Sequence, residues 1–422
     1  MKRGSLPGPG ATNHPTMAHG HLTTVHDPGP VSLLAGLKPV ALAMAGGGLL
    51  LWLAGFAVND ALRVWQSLLV AYAFFLMLGL GGVVFTAIQY CASARWSIAV
   101  RRIAEGMGAY IPVSFVFFVI IVLFGWGTLY DLESPWRAAN GKGGVHIYDG
   151  LKAAYLSRWG VLIKGVVFYA IWHVLSQKLR QTSIAQDRTK EAAGHKRNVK
   201  TSIIFLLLFG YTFSLHCVDM LKALEPKWFS TMFGVYCFSG LFLSTLCTLS
   251  LLTIALRRNR VVAEAIQPRH MYDLGTWIMA FSCFMCYIGF SQYMLIWYAN
   301  LPEEAFYMIE RTEGGWEYVF ALLPLLKWVI PFAVLMPQGF RANVRVHVFV
   351  CVAVLLGQWL DLYWMVYPVF SPAPVLPGLP ELGAFLALLG VFGFVLDRVY
   401  SSHSVLPVGD PYLKMSVSGS YL

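Results

Sequence analysis

Apolar residues run along this chain in ten nearly unbroken stretches of about twenty. That is the length a helix needs to cross ~30 Å of hydrocarbon at ~1.5 Å per residue. The pattern predicts membrane spans over 39–58, 64–92, 109–130, 159–177, 201–220, 228–256, 272–299, 315–336, 346–367 and 382–399. Barrel strands would instead alternate apolar and polar positions over about ten residues. The fold class expected is therefore an all-α integral membrane protein. The first 38 residues are rich in Pro, Gly and His and lack the apolar core of a signal peptide, so they read as an irregular arm.

Composition agrees: 57% of residues are hydrophobic and 12% charged, about half the charged share of a soluble domain. The formal charge of +10 follows from topology. Both tails and the even-numbered loops carry 21 Lys and Arg, among them Arg95, Arg101, Arg102, Arg188 and Lys196, against 8 in the opposite loops. Positive loops stay inside, so both termini are expected in the cytoplasm, and no nucleic-acid partner is needed to explain the charge. His14, His19, His21 and His26 in the arm are compatible with a bound metal, but a polar tail is the simpler reading.

Ionisable residues inside spans are costly and mark function by default. The fourth span holds Lys164 and His173, the fifth His216 and Asp219, the eighth Lys327 and the ninth Asp361. Counted from position 177, Lys164 lies roughly 20 Å up its helix; His216 and Asp219 lie roughly 22–28 Å above position 201. Residues three apart share a helix face, so a Lys164–Asp219 pair with His216 beside it is expected. The strings His216-Cys-Val-Asp219 and Gln358-Trp-Leu-Asp361 repeat one plan, with Lys327 as the second lysine. This predicts two four-helix bundles, 64–220 and 228–367, with spans 39–58 and 382–399 peripheral and a cytoplasmic tail over 400–422. Lys164, His173, His216, Asp219, Lys327, Gln358 and Asp361 are the candidates for a proton relay; ion pairs that merely fix helix register are the competing explanation.

Redox cofactors are not expected in this chain. His173 lies only ~6 Å from its cytoplasmic end and His216 ~22 Å up its own helix, so they do not face one haem. Cys283 and Cys286 form a CxxC within an apolar helix, whereas iron–sulfur clusters want several converging thiolates. The longest outer loop, 131–158, has room to dock a peripheral protein or to act as a simple lid. In the seventh loop, Pro302 opens a short interfacial helix whose positive end holds Glu303 and Glu304. With Glu310 these acids are candidates for collecting protons or meeting a basic partner; an ordinary solvated rim is the alternative.

The segment Phe290-Ser-Gln-Tyr-Met-Leu-Ile-Trp-Tyr-Ala-Asn-Leu-Pro-Glu-Glu304 resembles the signature stretch of the ActF family, membrane proteins of bacterial alternative complex III. The ten-span count, the basic loops and the two-half plan agree with that family over nearly the whole chain, the arm excepted. The resemblance implies the polysulfide-reductase membrane-subunit (NrfD-like) type of fold, within a quinol:electron-acceptor oxidoreductase of the bacterial cytoplasmic membrane. It implies as partners a second, related membrane protein of the same fold, an iron–sulfur protein, c-type cytochromes and, in some assemblies, a terminal oxidase. The haems and clusters would belong to those partners. Quinol oxidation would lie in the related membrane protein, leaving this chain as a candidate for proton translocation. Two other readings stay open: a quinone-binding component that itself oxidises quinol, and a stand-alone ion transporter, for which Pro324 and Pro331 supply a broken eighth span.

Overall fold

Ten helices long and apolar enough to cross a membrane make up the bulk of the described residues. The computed structural model describes residues 26–131 and 154–419. His14, His19 and His21 of the arm and residues 132–153 of the 131–158 loop lie outside them. In chain order the helices are α1 (Lys38–Val58), α2 (Ala61–Cys91), α3 (Ile98–Leu129), α4 (Arg158–Thr189), α5 (Ala192–Met220), α6 (Phe233–Leu256) and α7 (Pro268–Ala299). There follow α8 (Pro302–Thr312), too short to span, then α9 (Trp316–Leu335), α10 (Val344–Val366) and α11 (Leu379–Tyr400). The protein is an all-α multi-pass membrane protein. Among the described residues the one β-type contact is an isolated bridge between Pro30 and Ser404.

Prolines set several helix starts, where no N–H partner is required: Pro39, Pro268, Pro302 and Pro380 each stand in a first turn. Inside spans they loosen the helix instead. In α3 a 3-10 turn at Gly108–Tyr110 precedes Pro112, and a π turn follows at Ile121–Gly125. In α9 a π turn at Leu325–Val329 lies between Pro324 and Pro331.

Packing follows from which helices are apolar all round, since such a helix belongs in an interior. The spanning window of α2 is 100% buried, against 22% for α1. Helix α2 packs on α3 and α5, and α4 joins α3 to α5. The same circuit recurs in the second half: α6 packs on α7 and α10, and α9 joins them. The two groups meet through α2 on α6, with α2 also touching α10 and α6 touching α5. Helix α11 lies on α2, where Phe385 and Phe392 meet Phe75 at 5.4 and 5.6 Å between ring centres. Helix α1 is held outside it, chiefly by α11.

The sequence expectation is corrected at three boundaries. The third span begins at Ile98, not 109, so Arg101 and Arg102 are buried helix residues and not loop residues. The fourth runs to Thr189 and the fifth starts at Ala192, so the basic loop between them is a tight turn on two long helices. The C-terminal segment is folded against the helix ends: Asp410 pairs with Arg101 at 2.5 Å, and Ser416 accepts from Ala99 and donates to the Trp96 carbonyl. With ten spans, residues 26–37 and 401–419 share one side, here the tail face; the opposite side is the far face. Residues 26–37 join this layer, Val31 donating to the Tyr400 carbonyl and Ser32 and Leu34 to Asp397.

The α1–α11 seam rests on small residues, as seams between lipid-embedded helices do. A Cβ on Gly48 would stand 2.3 Å from the Ala387 nitrogen, whereas one on Gly46 would meet nothing within 4 Å. Overpacking of this kind costs about 1–3 kcal/mol. Gly48→Leu is therefore expected to lower the thermal unfolding midpoint in detergent while Gly46→Leu leaves it in place; equal midpoints would mean the seam contributes nothing.

Candidate functional site

The lysines and aspartates that the sequence placed inside lipid find each other. Lys164 of α4 lies 2.7 Å from Asp219 of α5, and Lys327 of α9 lies 2.7 Å from Asp361 of α10. Each pair joins equivalent helices of its own four-helix group. Gln358 completes the second pair by accepting from Lys327 at 2.8 Å. The Lys327 stem passes over Gly357, where an added Cβ would stand 2.7 Å from Lys327 Cγ. Lys327 belongs to the π turn of α9, a distortion frequent at functional sites.

The two pairs differ in depth and exposure. Lys164 is six residues from the start of α4 and Asp219 is next to the last residue of α5, so the first pair sits within ~9 Å of the far-face ends of its helices. The Lys164 side chain is 18% exposed and its ammonium lies 3.1 Å from the centre of the Tyr155 ring, a cation–π contact. Burial, reinforced by the charge on Asp219, pushes the Tyr155 hydroxyl up to about 12, so the ring stays neutral. Lys327 is eleven residues into α9, ~16 Å deep, and 3% exposed.

Tyrosines extend both pairs, and sequence reasoning missed them because it weighed only groups that carry charge at neutral pH. Tyr236 of α6 donates to Asp361 at 2.7 Å. In the first group His216 lies near enough to feel the charge on Lys164, but its hydrogen bond goes to a tyrosine and not to Asp219. Its Nε2 pairs with the Tyr72 hydroxyl at 2.7 Å, which pairs with Tyr169 at 2.8 Å. The imidazole sits edge-on to Tyr169 and Trp172. His216 thus belongs to a tyrosine chain one helical turn below the ion pair. A tyrosine on each central helix, α2 and α6, opposite the polar residues of α5 and α10, was the available signal.

His173 is not drawn into either group; it lies nine residues, ~14 Å, along α4 from Lys164. Glu303 is exposed on the first turn of α8 and Glu304 half-buried beside it. Glu310 lies 4.0 Å from Arg311. Arg311 itself points inward: it is 1% exposed, bonds the Tyr307 and Met365 carbonyls, and lies over the Tyr307 ring. Burial pushes the Tyr307 hydroxyl up to about 12.

A second polar region, also missed, closes the tail face. Arg102 makes bonds of 2.5 and 3.0 Å to Asp187, and Arg101 stacks 4.0 Å over Tyr90, which donates to Glu105. Tyr72 and Tyr90 are eighteen residues apart, so this region lies ~27 Å along α2 from the tyrosine chain. Cys283 and Cys286 are both partly buried on α7, and the described residues contain no group of three or more His, Cys, Asp or Glu arranged to hold a metal. No family model and no curated protein matches this chain.

The second pair gives a direct energetic test. Leaving one buried charge without its partner costs about 3–5 kcal/mol, whereas replacing both by apolar groups is often neutral. Lys327→Met is expected to lower the unfolding free energy by about that amount, and Lys327→Met with Asp361→Leu to restore most of it, read by thermal unfolding in detergent. Additive losses in the double variant would mean that the two residues do not act as a pair.

Proposed function

We propose that this chain is a proton-moving membrane component of a respiratory quinol:electron-acceptor oxidoreductase of the alternative complex III type. It would sit in the bacterial cytoplasmic membrane, the tail face toward the cytoplasm. The observation that supports proton movement is the two Lys–Asp contacts on equivalent helices of the two groups, one near the far-face helix ends beside the Tyr155 ring and one enclosed and bonded by Tyr236. A charged side chain at mid-bilayer costs at least ~2.5–3.5 kcal/mol, and apolar packing fixes helix register without it. A lysine–carboxylate pair has two states. Protonation of the aspartate neutralises it and releases the ammonium; loss of the proton restores the contact. The assignment to this complex draws on the resemblance of residues 290–304 to the ActF family, and the orientation on the excess of Lys and Arg in the even-numbered loops. The related membrane protein, the iron–sulfur protein and the c-type cytochromes would carry the electrons.

One feature favours a second reading. Helix α9 is interrupted by Pro324 and a π turn beside Lys327, and broken helices at an ion site are typical of secondary transporters. Purification from native membranes separates the two, because the proposed component emerges with haem-bearing partners and a transporter emerges colourless and alone. In that complex, reconstituted into vesicles, Asp219→Asn and Asp361→Asn preserve shape and remove the titratable proton. Acceptor reduction is expected to continue while proton release per electron falls; unchanged proton release in both variants reduces the pairs to structural contacts. For orientation, cysteines introduced at Arg188 and Glu303 in a background without native cysteines are expected to react differently with a membrane-impermeant maleimide on intact cells. Position 303 should label and position 188 should not, and the reverse pattern would invert the topology.

A further inference from the structure

At the tail face, α3, α4 and the segment after α11 enclose a recess lined by Arg102, Gly106, Arg180, Tyr400, His403 and Ser404 among others. Arg180 stands half-buried on α4. A guanidinium carries five N–H donors and does not lose its proton in proteins. Arg180 makes no hydrogen bond and no ion pair among the described residues.

Carboxylates are near, but each is already taken. Asp187 accepts two bonds from Arg102 and one from the Gly409 N–H. Glu105 accepts from Tyr90 and lies 3.8 Å from Arg101, while Asp410 is bonded by Arg101 and by the Tyr412 N–H. Residues 1–25 of the arm contain no Asp or Glu. The surplus of positive charge reaches His403, which is exposed just past the end of α11. Partial burial, then the guanidiniums of Arg180 and Arg102, hold its imidazole below the ordinary value; Asp187 opposes them and Arg188 adds to them.

The height of the recess says what reaches it. Arg180 is 22 residues, ~33 Å, from the far-face start of α4, and Tyr400 is 21 residues, ~32 Å, from the far-face start of α11. Both distances match the ~30 Å of hydrocarbon, so the recess lies in the headgroup layer of the tail side. Toward the far face the same helix exposes Ile163, Val166, Val167 and Val174, a flank suited to acyl chains and not to water. The recess is shallow, about 10 Å³, room for one water-sized group. One phosphate oxygen fits it while the rest of a headgroup lies at the surface.

We propose that this recess binds the phosphate of an anionic phospholipid in the tail-side leaflet, with one oxygen beside Arg180 and the acyl chains along α4. Basic pockets between spans recognise such headgroups. A free phosphate offers the same oxygens but makes no use of the apolar flank. The inference depends neither on proton movement nor on the partners proposed above.

The test uses the full chain in detergent, read by native mass spectrometry as lipid is titrated. Dioleoylphosphatidylglycerol is the anionic probe and dioleoylphosphatidylcholine the zwitterionic one. Wild type is expected to bind the first phosphatidylglycerol about tenfold more tightly than the first phosphatidylcholine. Arg180→Gln is expected to erase that preference and, having no bond to lose, to leave the lipid-free unfolding midpoint in place. Arg180→Lys keeps the charge and is expected to retain most of the preference. Arg260→Gln removes the same charge from a tail-face side chain that is 94% exposed, and is expected to change nothing. Inorganic phosphate in excess is expected not to displace the lipid. Equal affinity for both lipids in wild type, an unchanged preference or a lowered midpoint in Arg180→Gln, an equal loss in Arg260→Gln, or displacement by inorganic phosphate would each overturn the proposal. The last would identify a free-phosphate site.

Discussion

A charge carried into a lipid-embedded bundle has to bring its partner with it, because no water is present to solvate it. Most of the detail of this structure follows from that constraint. Lys164 and Lys327 each reach a carboxylate at 2.7 Å on the next helix of the same group. The contact fixes α4 against α5 and α9 against α10, so the ion pairs and the helix order are one problem with one solution. Gly357 is small because the Lys327 stem crosses it. Gln358 stands where it does because the ammonium has donors left over after Asp361.

The two halves solve the same problem at different depths. The first pair lies near the far-face helix ends, with Lys164 partly exposed and capped by Tyr155. The second is enclosed, beside a cavity and a π turn. In the first half the residue three before the aspartate, His216, bonds to a tyrosine; in the second it is Gln358, which bonds to the lysine, and the tyrosine goes to the aspartate itself. The shared spacing is thus wired in two ways. The second half thus gathers its lysine, aspartate, glutamine and tyrosine into one cluster, while in the first the histidine and two tyrosines form a chain of their own.

The ten spans and both lysine–aspartate pairs were legible in the sequence because each rests on a strong, local penalty. Twenty apolar residues have few other places to go, and a lone buried lysine is too expensive to keep. The parts that were not legible depend on long-range packing. Arg101 and Arg102 look like loop cations until Asp410, some three hundred residues on, is seen to fold back onto Arg101. Tyr72, Tyr169 and Tyr236 look like ordinary apolar filling until their hydroxyls are placed. The direction of His216 could not follow from a three-residue spacing, which fixes a helix face but not which neighbour the ring meets. Pro324 and Pro331 signalled a disturbed helix, but not that the disturbance would be a π turn containing Lys327.

The chemistry of the cations separates the pairs inside the two helical groups from the arginine pairs at the helix ends. At the tail face the carboxylates of Asp187 and Asp410 meet arginines, and Asp187 is held by two bonds from one guanidinium. Arginine does not release its proton in proteins, so such a contact has one charge state on the cation side and its geometry favours permanence. The same layer clamps the C-terminal segment to α3, α4 and α7, through Arg101, Asp187 and His270. Within the two helical groups the cations that meet the carboxylates of α5 and α10 are lysines, compact charges that change state when buried, whereas Arg63 pairs with Glu381 where α2 and α11 begin at the far face. The lysines meet single aspartates flanked by tyrosines. Under the proposed function the arginine pairs hold the helix ends in place, and the two lysine–aspartate contacts are the ones whose charge state would change.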